Sequence, residues 1–178
     1  LNITKDNILV TKSSEITLFL IAQIILKKND FVAITDLSYY KSNMIFQTQS
    51  VNIKQIKTDE FGLDTNHLME VCKNFPIRMI YLSTHHHYPT TATLSSERRI
   101  ELLQLSQEFG FVIIEDDYDF DYHFTNHPIL PLASTEQNGM VIYTGKFGDY
   151  LAPGYRISFL IAPKNFVQEA KKHLSILD

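Results

Sequence analysis

The 178-residue chain has a single cysteine, Cys72. One thiol excludes an internal disulfide and fits a reducing cytoplasm. Excess positive charge is also missing: 16 Lys and Arg stand against 20 Asp and Glu, a net charge of -4. That balance argues against the segment itself gripping nucleic acid or an acidic membrane. No apolar run reaches the roughly 20 residues of a membrane span; residues 17–26 are apolar but include Gln23. No signal peptide opens the chain and no Met begins it, so a fragment of a longer protein is expected. Internal repeats and low-complexity stretches are missing too. What remains, 44% hydrophobic and 20% charged residues, is the composition of a soluble globular protein. Its length suits one domain with a sizeable core.

Short apolar runs bounded by Gly, Pro and polar clusters predict strands near residues 8–11, 31–35, 51–56, 78–83, 111–115, 140–143 and 157–162. Helices are predicted between them. The first opens at Ser13-Ser14-Glu15 and runs to about Lys28, with Asn29 as its stop. It is apolar on most sides, so it should be buried on several. A second follows the loop 36–39 and ends near Gln47. Residues 58–63 read as a polar turn around Gly62. Asp64 caps a third helix, and Ser95 or Ser96 caps a fourth that stops at Gly110. A last helix begins near Asn165. Strand and helix alternate, which predicts an α/β fold of three layers, α/β/α, with a mainly parallel mixed sheet. Ligands bind such sheets at the carboxyl ends of the strands, and the unusual residues of this chain cluster there.

Residues 112–122 read Val-Ile-Ile-Glu-Asp-Asp-Tyr-Asp-Phe-Asp-Tyr. Taken alone this is an acidic loop at a strand end. Asp117, Asp119, Asp121 and His123 suggest a metal, but the Gly and terminal Glu of a calcium loop are lacking. Residues 81–91 read Tyr-Leu-Ser-Thr-His-His-His-Tyr-Pro-Thr-Thr. Neighbours in an extended segment point to opposite faces, so three consecutive histidines seldom make one metal site; no metal site is expected. Residues 141–158 run Val-Ile-Tyr-Thr-Gly-Lys-Phe-Gly-Asp-Tyr-Leu-Ala-Pro-Gly-Tyr-Arg-Ile-Ser. They place Lys146, Asp149 and Arg156 in a loop between two apolar runs. Ser14 lies at a helix start, where free amides favour a phosphate or need only an N-cap. Tyr39 sits in the loop Asp-Leu-Ser-Tyr-Tyr, residues 36–40.

Together, in order and at these spacings, these stretches resemble the aminotransferase-like half of MocR-type regulators of the GntR superfamily. That half is a large domain of the fold-type I transferases dependent on pyridoxal 5'-phosphate (PLP). The resemblance spans essentially the whole chain. It implies that Asp116 holds the pyridine nitrogen of PLP and Tyr118 its 3-hydroxyl. Tyr39 stacks on the ring, His86 lies near it, and Ser14 and Arg156 meet the phosphate. The family loop Gly-Thr-Phe-Ser-Lys-(x)3-Pro-(x)2-Arg is matched at Gly145, Phe147, Pro153 and Arg156. Its cofactor lysine, however, falls on Asp149, and a phosphate-contacting hydroxyl residue falls on Lys146. Other departures are Ser13 for Gly, Thr91 for a Gly whose backbone angles are unusual, and Glu15, whose charge is unfavourable to a phosphate.

The resemblance thus implies an effector-sensing and dimerisation domain over residues 1–178, with no catalytic residue assigned. PLP is bound non-covalently or not at all. A winged-helix DNA-binding domain is expected upstream and a small subdomain downstream. Partners would be a second copy of the chain, a small-molecule effector, and DNA only through the upstream domain, in the cytoplasm and without membrane contact. The alternative is an active aminotransferase in which Lys146 replaces the missing lysine.

Overall fold

The computed structural model describes residues 3–119, 129–147 and 156–177. After a short 3-10 turn the elements are β1 (Ile8–Thr11), α1 (Ser14–Ile25), β2 (Phe31–Thr35), α2 (Tyr40–Gln47) and β3 (Asn52–Ile56). Next come β4 (Thr58–Asp59), β5 (Gly62–Leu63), α3 (Thr65–Asn74), β6 (Ile77–Leu82), α4 (Ser96–Phe109) and β7 (Val112–Asp117). The chain continues through α5 (Leu132–Thr135), β8 (Val141–Lys146), β9 (Ser158–Ile161) and α6 (Lys164–Leu177). Among the described residues, seven strands form one sheet in the order β1-β9-β8-β7-β6-β2-β3. From β8 to β3 neighbouring strands are parallel; β9 runs antiparallel to both β8 and β1. The predicted mainly parallel mixed sheet is what the chain forms.

Each face of the sheet carries its own core. On one, α1, α2 and α6 cover Val32, Ile34, Met79, Tyr81, Ile114 and Ile142. On the other, α3, α4 and α5 cover Ala33, Ile80, Leu82, Ile113 and Val141. Alternate residues of β2, β6, β7 and β8 thus go to opposite cores, as the period of two requires. This explains why these strands read as continuous apolar runs. Leu20, Ile21 and Ala22 of α1 are fully buried, so the helix that is apolar all round is enclosed as expected.

The helix caps follow from local chemistry. Ser13 accepts from the Ile16 amide at 3.2 Å, Asp64 from the Asn66 and His67 amides, and Ser95 from the Arg98 amide. Gly110 ends α4 in the left-handed conformation, φ 72°, where a side chain is costly. Two expectations need correction. α1 ends at Ile25, not near Lys28, because Asp30 takes the Lys27 amide at 2.8 Å and Asn29 turns to φ 71°. Residues 58–63 are a small antiparallel hairpin, β4–β5, and not merely a turn. Arg98 of α4 holds it with a two-pronged bond to Asp59 and a third bond to the Gly62 carbonyl.

Candidate functional site

The acidic run at the end of β7 is divided by the strand itself. Ile114 belongs to the α1 side and Ile113 to the α4 side. Two residues further on, Asp116 therefore faces the α1 side, and Glu115 and Asp117 the α4 side. By the same alternation Tyr81 of β6 and Thr144 of β8 share the face of Asp116. The Tyr81 hydroxyl donates a hydrogen bond to Asp116 Oδ2. Thr144 Oγ1 donates to Asp116 Oδ1 at 3.2 Å. Burial raises the Asp116 pKa and the neighbouring Asp117 charge adds to this; the two hydroxyls and the Lys146 ammonium oppose it. The balance is upward, so this carboxylate sits in want of positive charge.

Lys146 was expected in a loop. Instead it is the last residue of β8, its Cα opposite Ser158 of β9. Pairing with β7 as far as Gly145, and with β9 as far as Lys146, carries the strand three residues beyond its apolar run. Alternation from Ile142 and Thr144 puts Lys146 on the face of Asp116. Its ammonium lies 5.8 Å from the centre of the Tyr118 ring. The Tyr118 hydroxyl donates to the His86 carbonyl at 2.9 Å, and His86 Nδ1 is 2.7 Å from Asp119 Oδ2. Burial, then the charges of Asp119, Asp116 and Asp117, push the Tyr118 hydroxyl up to about 12. These residues come together at the carboxyl ends of β6, β7 and β8.

Tyr39 is the N-cap residue of α2 and packs edge-on against Tyr88, ring centres 5.9 Å apart. It is near enough to Tyr81 to act on its ionisation. Ser14 is the first residue of α1. Its neighbour Glu15 pairs with Lys41 at 3.1 Å, and the Lys41 ammonium lies 6.0 Å from the Tyr39 ring centre. The negative charge counted against a phosphate at this helix start is therefore already paired. Thr17 of α1 donates to Ser158 Oγ at 3.2 Å, and Ser158 Oγ donates to the Gly145 carbonyl at 2.7 Å. The start of α1 is thus tied to the end of β8. Arg156 is exposed, two residues before Ser158. Asp149 lies outside the described residues, as do Asp121, His123 and Pro153. Among the described residues no group of three His, Cys, Asp or Glu is arranged to hold a metal.

Thr91 adopts φ 60°, the left-handed backbone that favours glycine. Sequence reasoning passed over Tyr81 and Thr144, which hold Asp116, and over the cluster on the opposite face. There Glu115 accepts from Thr84 and from the Leu132 and Ala133 amides, the amides at 2.7 and 2.9 Å. His85 Nδ1 lies 2.7 Å from Asp117 Oδ2, which also accepts from the Tyr143 hydroxyl at 2.9 Å. The signal for both groups was strand alternation across the acidic run and its two neighbouring strands.

No protein-family model matches the chain. It is 31% identical over 164 residues to the HTH-type transcriptional regulator TauR of Rhodobacter capsulatus, covering 91% of this chain and 32% of that protein. It is 26% identical over 172 residues to aromatic-amino-acid aminotransferase 1 of Thermococcus litoralis, covering 94% of this chain and 41% of the enzyme. A probable rhizopine catabolism regulatory protein, MocR of Rhizobium meliloti, is 23% identical over 170 residues, covering 96% and 34%. Among solved structures, the kynurenine aminotransferase of Pyrococcus horikoshii superposes with TM-score 0.92 at 26% identity, over 99% of this chain and 45% of that one. LysN, the α-aminoadipate aminotransferase of Thermus thermophilus, gives 0.93 at 27%, over 99% and 46%. The chain spans less than half the length of each of these relatives. Among the described residues no helix is long and apolar enough to cross a membrane.

Proposed function

We propose, for a chain that is a relative of HTH-type transcriptional regulators and of aminotransferases and has the fold of the fold-type I PLP-dependent transferases, that it is the large domain of a MocR-type regulator. In this reading it senses a small-molecule effector and supports a homodimer. A winged-helix domain upstream contacts DNA, a small subdomain follows, and the protein works in the cytoplasm.

The observation that carries the reading is Asp116. Its carboxylate is held by two hydroxyl donors at the carboxyl end of β7 and, among the described residues, lacks a full counter-charge. A protonated ring nitrogen would supply one, so the residues fit the pyridine end of PLP. Asp116, Tyr118, Tyr39 and His86 would hold the ring. Ser14, Lys146 and Arg156 would meet the anionic end, the last through a planar fork suited to phosphate. When bound, the group supplies an electron-withdrawing ring. Tyr81 and Thr144 orient the Asp116 carboxylate and keep it an acceptor. Glu15, paired with Lys41, leaves the amides at the start of α1 free of an opposing charge. Asp149 offers no amine, so binding is non-covalent in this reading and no residue is assigned to catalysis.

A second reading, an aminotransferase with a relocated lysine, has one observation in its favour: β8 directs Lys146 to the face of Asp116. The two are separated by mixing the full-length protein with PLP, reducing with borohydride, and mapping any adduct by mass spectrometry. The first reading expects saturable binding that dialysis reverses and an unmodified chain after reduction. An adduct on Lys146, lost in Lys146→Ala, decides for the enzyme. No binding at all leaves a dimerisation domain without a cofactor.

A further inference from the structure

On the α4 side of β7, away from the ligand-facing Asp116, lies a set of buried ionic groups. All of them hold one short stretch of chain. His85 Nε2 is 2.7 Å from the Ile129 carbonyl. Arg99 of α4 donates to the Leu130 carbonyl at 3.0 Å and also to the Leu94 and Thr84 carbonyls. Glu115 accepts from the Leu132 and Ala133 amides. Three ionisable side chains thus secure residues 129–133, the entry to α5, against the ends of β6 and β7.

One of the three ties depends on a proton. The partners of His85 are a carboxylate oxygen at Nδ1 and a carbonyl oxygen at Nε2, both acceptors. A neutral imidazole has one N–H and can satisfy only one of them. An imidazolium, with an N–H on each nitrogen, satisfies both at once as an ion pair with the Asp117 carboxylate inside the protein. His85 and Asp117 are 9% and 2% exposed, so water cannot easily replace a lost partner. Among the described residues the charged groups that act on the ring are Asp117 from β7 and Arg99 from α4, and Tyr143 from β8 donates to the same Asp117 oxygen. Asp117 Oδ1 is buried with no hydrogen-bond partner among the described residues; His85 is the cation bonded to this carboxylate, with the Arg99 charge acting on it from further off. Asp117 also lies between Asp116 and Tyr118 in sequence, and its charge acts on both.

We propose that His85 is a proton-controlled latch: charged, it joins residues 129–133 to the ligand-facing end of β7, and neutral, it releases the Ile129 carbonyl and leaves the Asp117 charge unbalanced beside Asp116. Burial works against charge on the ring, but the Asp117 hydrogen bond and charge outweigh it, with the Ile129 carbonyl adding to them. The His85 pKa lies above its usual value despite Arg99. A raised histidine pKa contributes stability that is complete below the unfolded value and lost as pH rises through the folded one. The latch is accordingly made at low pH and opens on the alkaline side of an ordinary histidine titration. This inference does not rest on the identity of the ligand.

The test is hydrogen exchange of the full chain across a pH series, corrected for intrinsic exchange, with ring-nitrogen NMR of His85 in parallel. Protection of the Leu132 and Ala133 amides is expected to fall about tenfold or more as His85 loses its proton, the worth of one charge-assisted hydrogen bond. In His85→Gln, which carries no titrating charge, the protection should be low and flat with pH. Flat protection in the wild type, pH-dependent protection that survives in His85→Gln, or NMR showing a neutral ring while protection stays high would each overturn the proposal. If His85→Gln does not fold, the wild-type NMR and exchange titrations decide alone, because coincident midpoints are required.

Discussion

Replacing Thr91 by glycine should stabilise the protein. Thr91 stands at φ 60°, where the Cβ of an L-residue crowds its own backbone. The left-handed conformation costs a non-glycine residue roughly 1–2 kcal/mol, and a β-branched side chain belongs at the upper end. The turn is closed independently of the side chain: the Thr91 amide donates to the His87 carbonyl at 2.6 Å, and the His87 amide to the Ala92 carbonyl at 2.9 Å. What the side chain adds is one exposed hydrogen bond from its hydroxyl to the Thr90 carbonyl, which exchanges with water at little cost. Glycine loses more freedom on folding, by about 0.5–1 kcal/mol. The balance leaves Thr91→Gly more stable by about 1 kcal/mol, or about 2–4 °C in Tm for a domain of this size. Urea unfolding followed by circular dichroism reads it as a higher midpoint at unchanged slope. Thr91→Ala serves as control: it removes the β-branch but keeps the Cβ, and should fall between the two. A Thr91→Gly protein less stable than the wild type would refute the reasoning, because it would mean that residue 91 is not held at positive φ.

Arg98→Ala should release the β4–β5 hairpin from α4 at a cost of about 0.5–1 kcal/mol, small because both partners of the Arg98–Asp59 pair meet solvent and are screened. The Arg98 hydrogen bond holds the Asp59 pKa below its usual value, so this contribution is present above the unfolded carboxylate pKa and lost as pH falls through the folded one; the variant should show a shallower acid loss of urea stability. Asp116→Asn should weaken PLP binding about tenfold or more, the worth of a hydrogen bond to a charged group, measured by equilibrium dialysis beside an unchanged circular dichroism spectrum. Equal affinity in that variant would remove Asp116 from the ring-nitrogen role.

Much of the fold was legible because its signals are local. The period-two and period-3.6 patterns, the caps Ser13, Asp64 and Ser95, and the stop at Gly110 are each written within a few residues. The end of α1 was misread although its cause, Asp30 on the Lys27 amide, is local; the other errors fell where a distant partner decides. α5 (Leu132–Thr135) went unread because its amides are held by Glu115, 17 and 18 residues earlier in the chain. The reach of β8 to Lys146 depends on pairing with β9, which no local pattern encodes. At the site, Asp116 and Tyr118 were legible as a motif, whereas Tyr81 and Thr144 were not. A tyrosine and a threonine in apolar strands look like core until the register places them beside a carboxylate.

The run Glu115-Asp116-Asp117 therefore carries two kinds of work, separated by one residue of strand. The outer two carboxylates turn toward α4 and α5 and spend their contacts on the chain itself: Glu115 takes two amides and a threonine hydroxyl, with the Arg99 charge opposing its burial, and Asp117 takes His85 and the Tyr143 hydroxyl. Asp116 turns the other way and, among the described residues, receives only hydroxyls and the field of a lysine ammonium. Neutral donors favour the charged form of a carboxylate but bring no counter-charge. Both outer carboxylates fasten another segment of the chain, whereas the bonds of Asp116 among the described residues go only to side chains of the neighbouring strands β6 and β8. A buried carboxylate without such a fastening role, at the carboxyl end of a parallel strand among Tyr39, Tyr81 and Tyr118, is the physical reason to expect a cationic, flat ligand there whether or not a lysine stands ready to bond it.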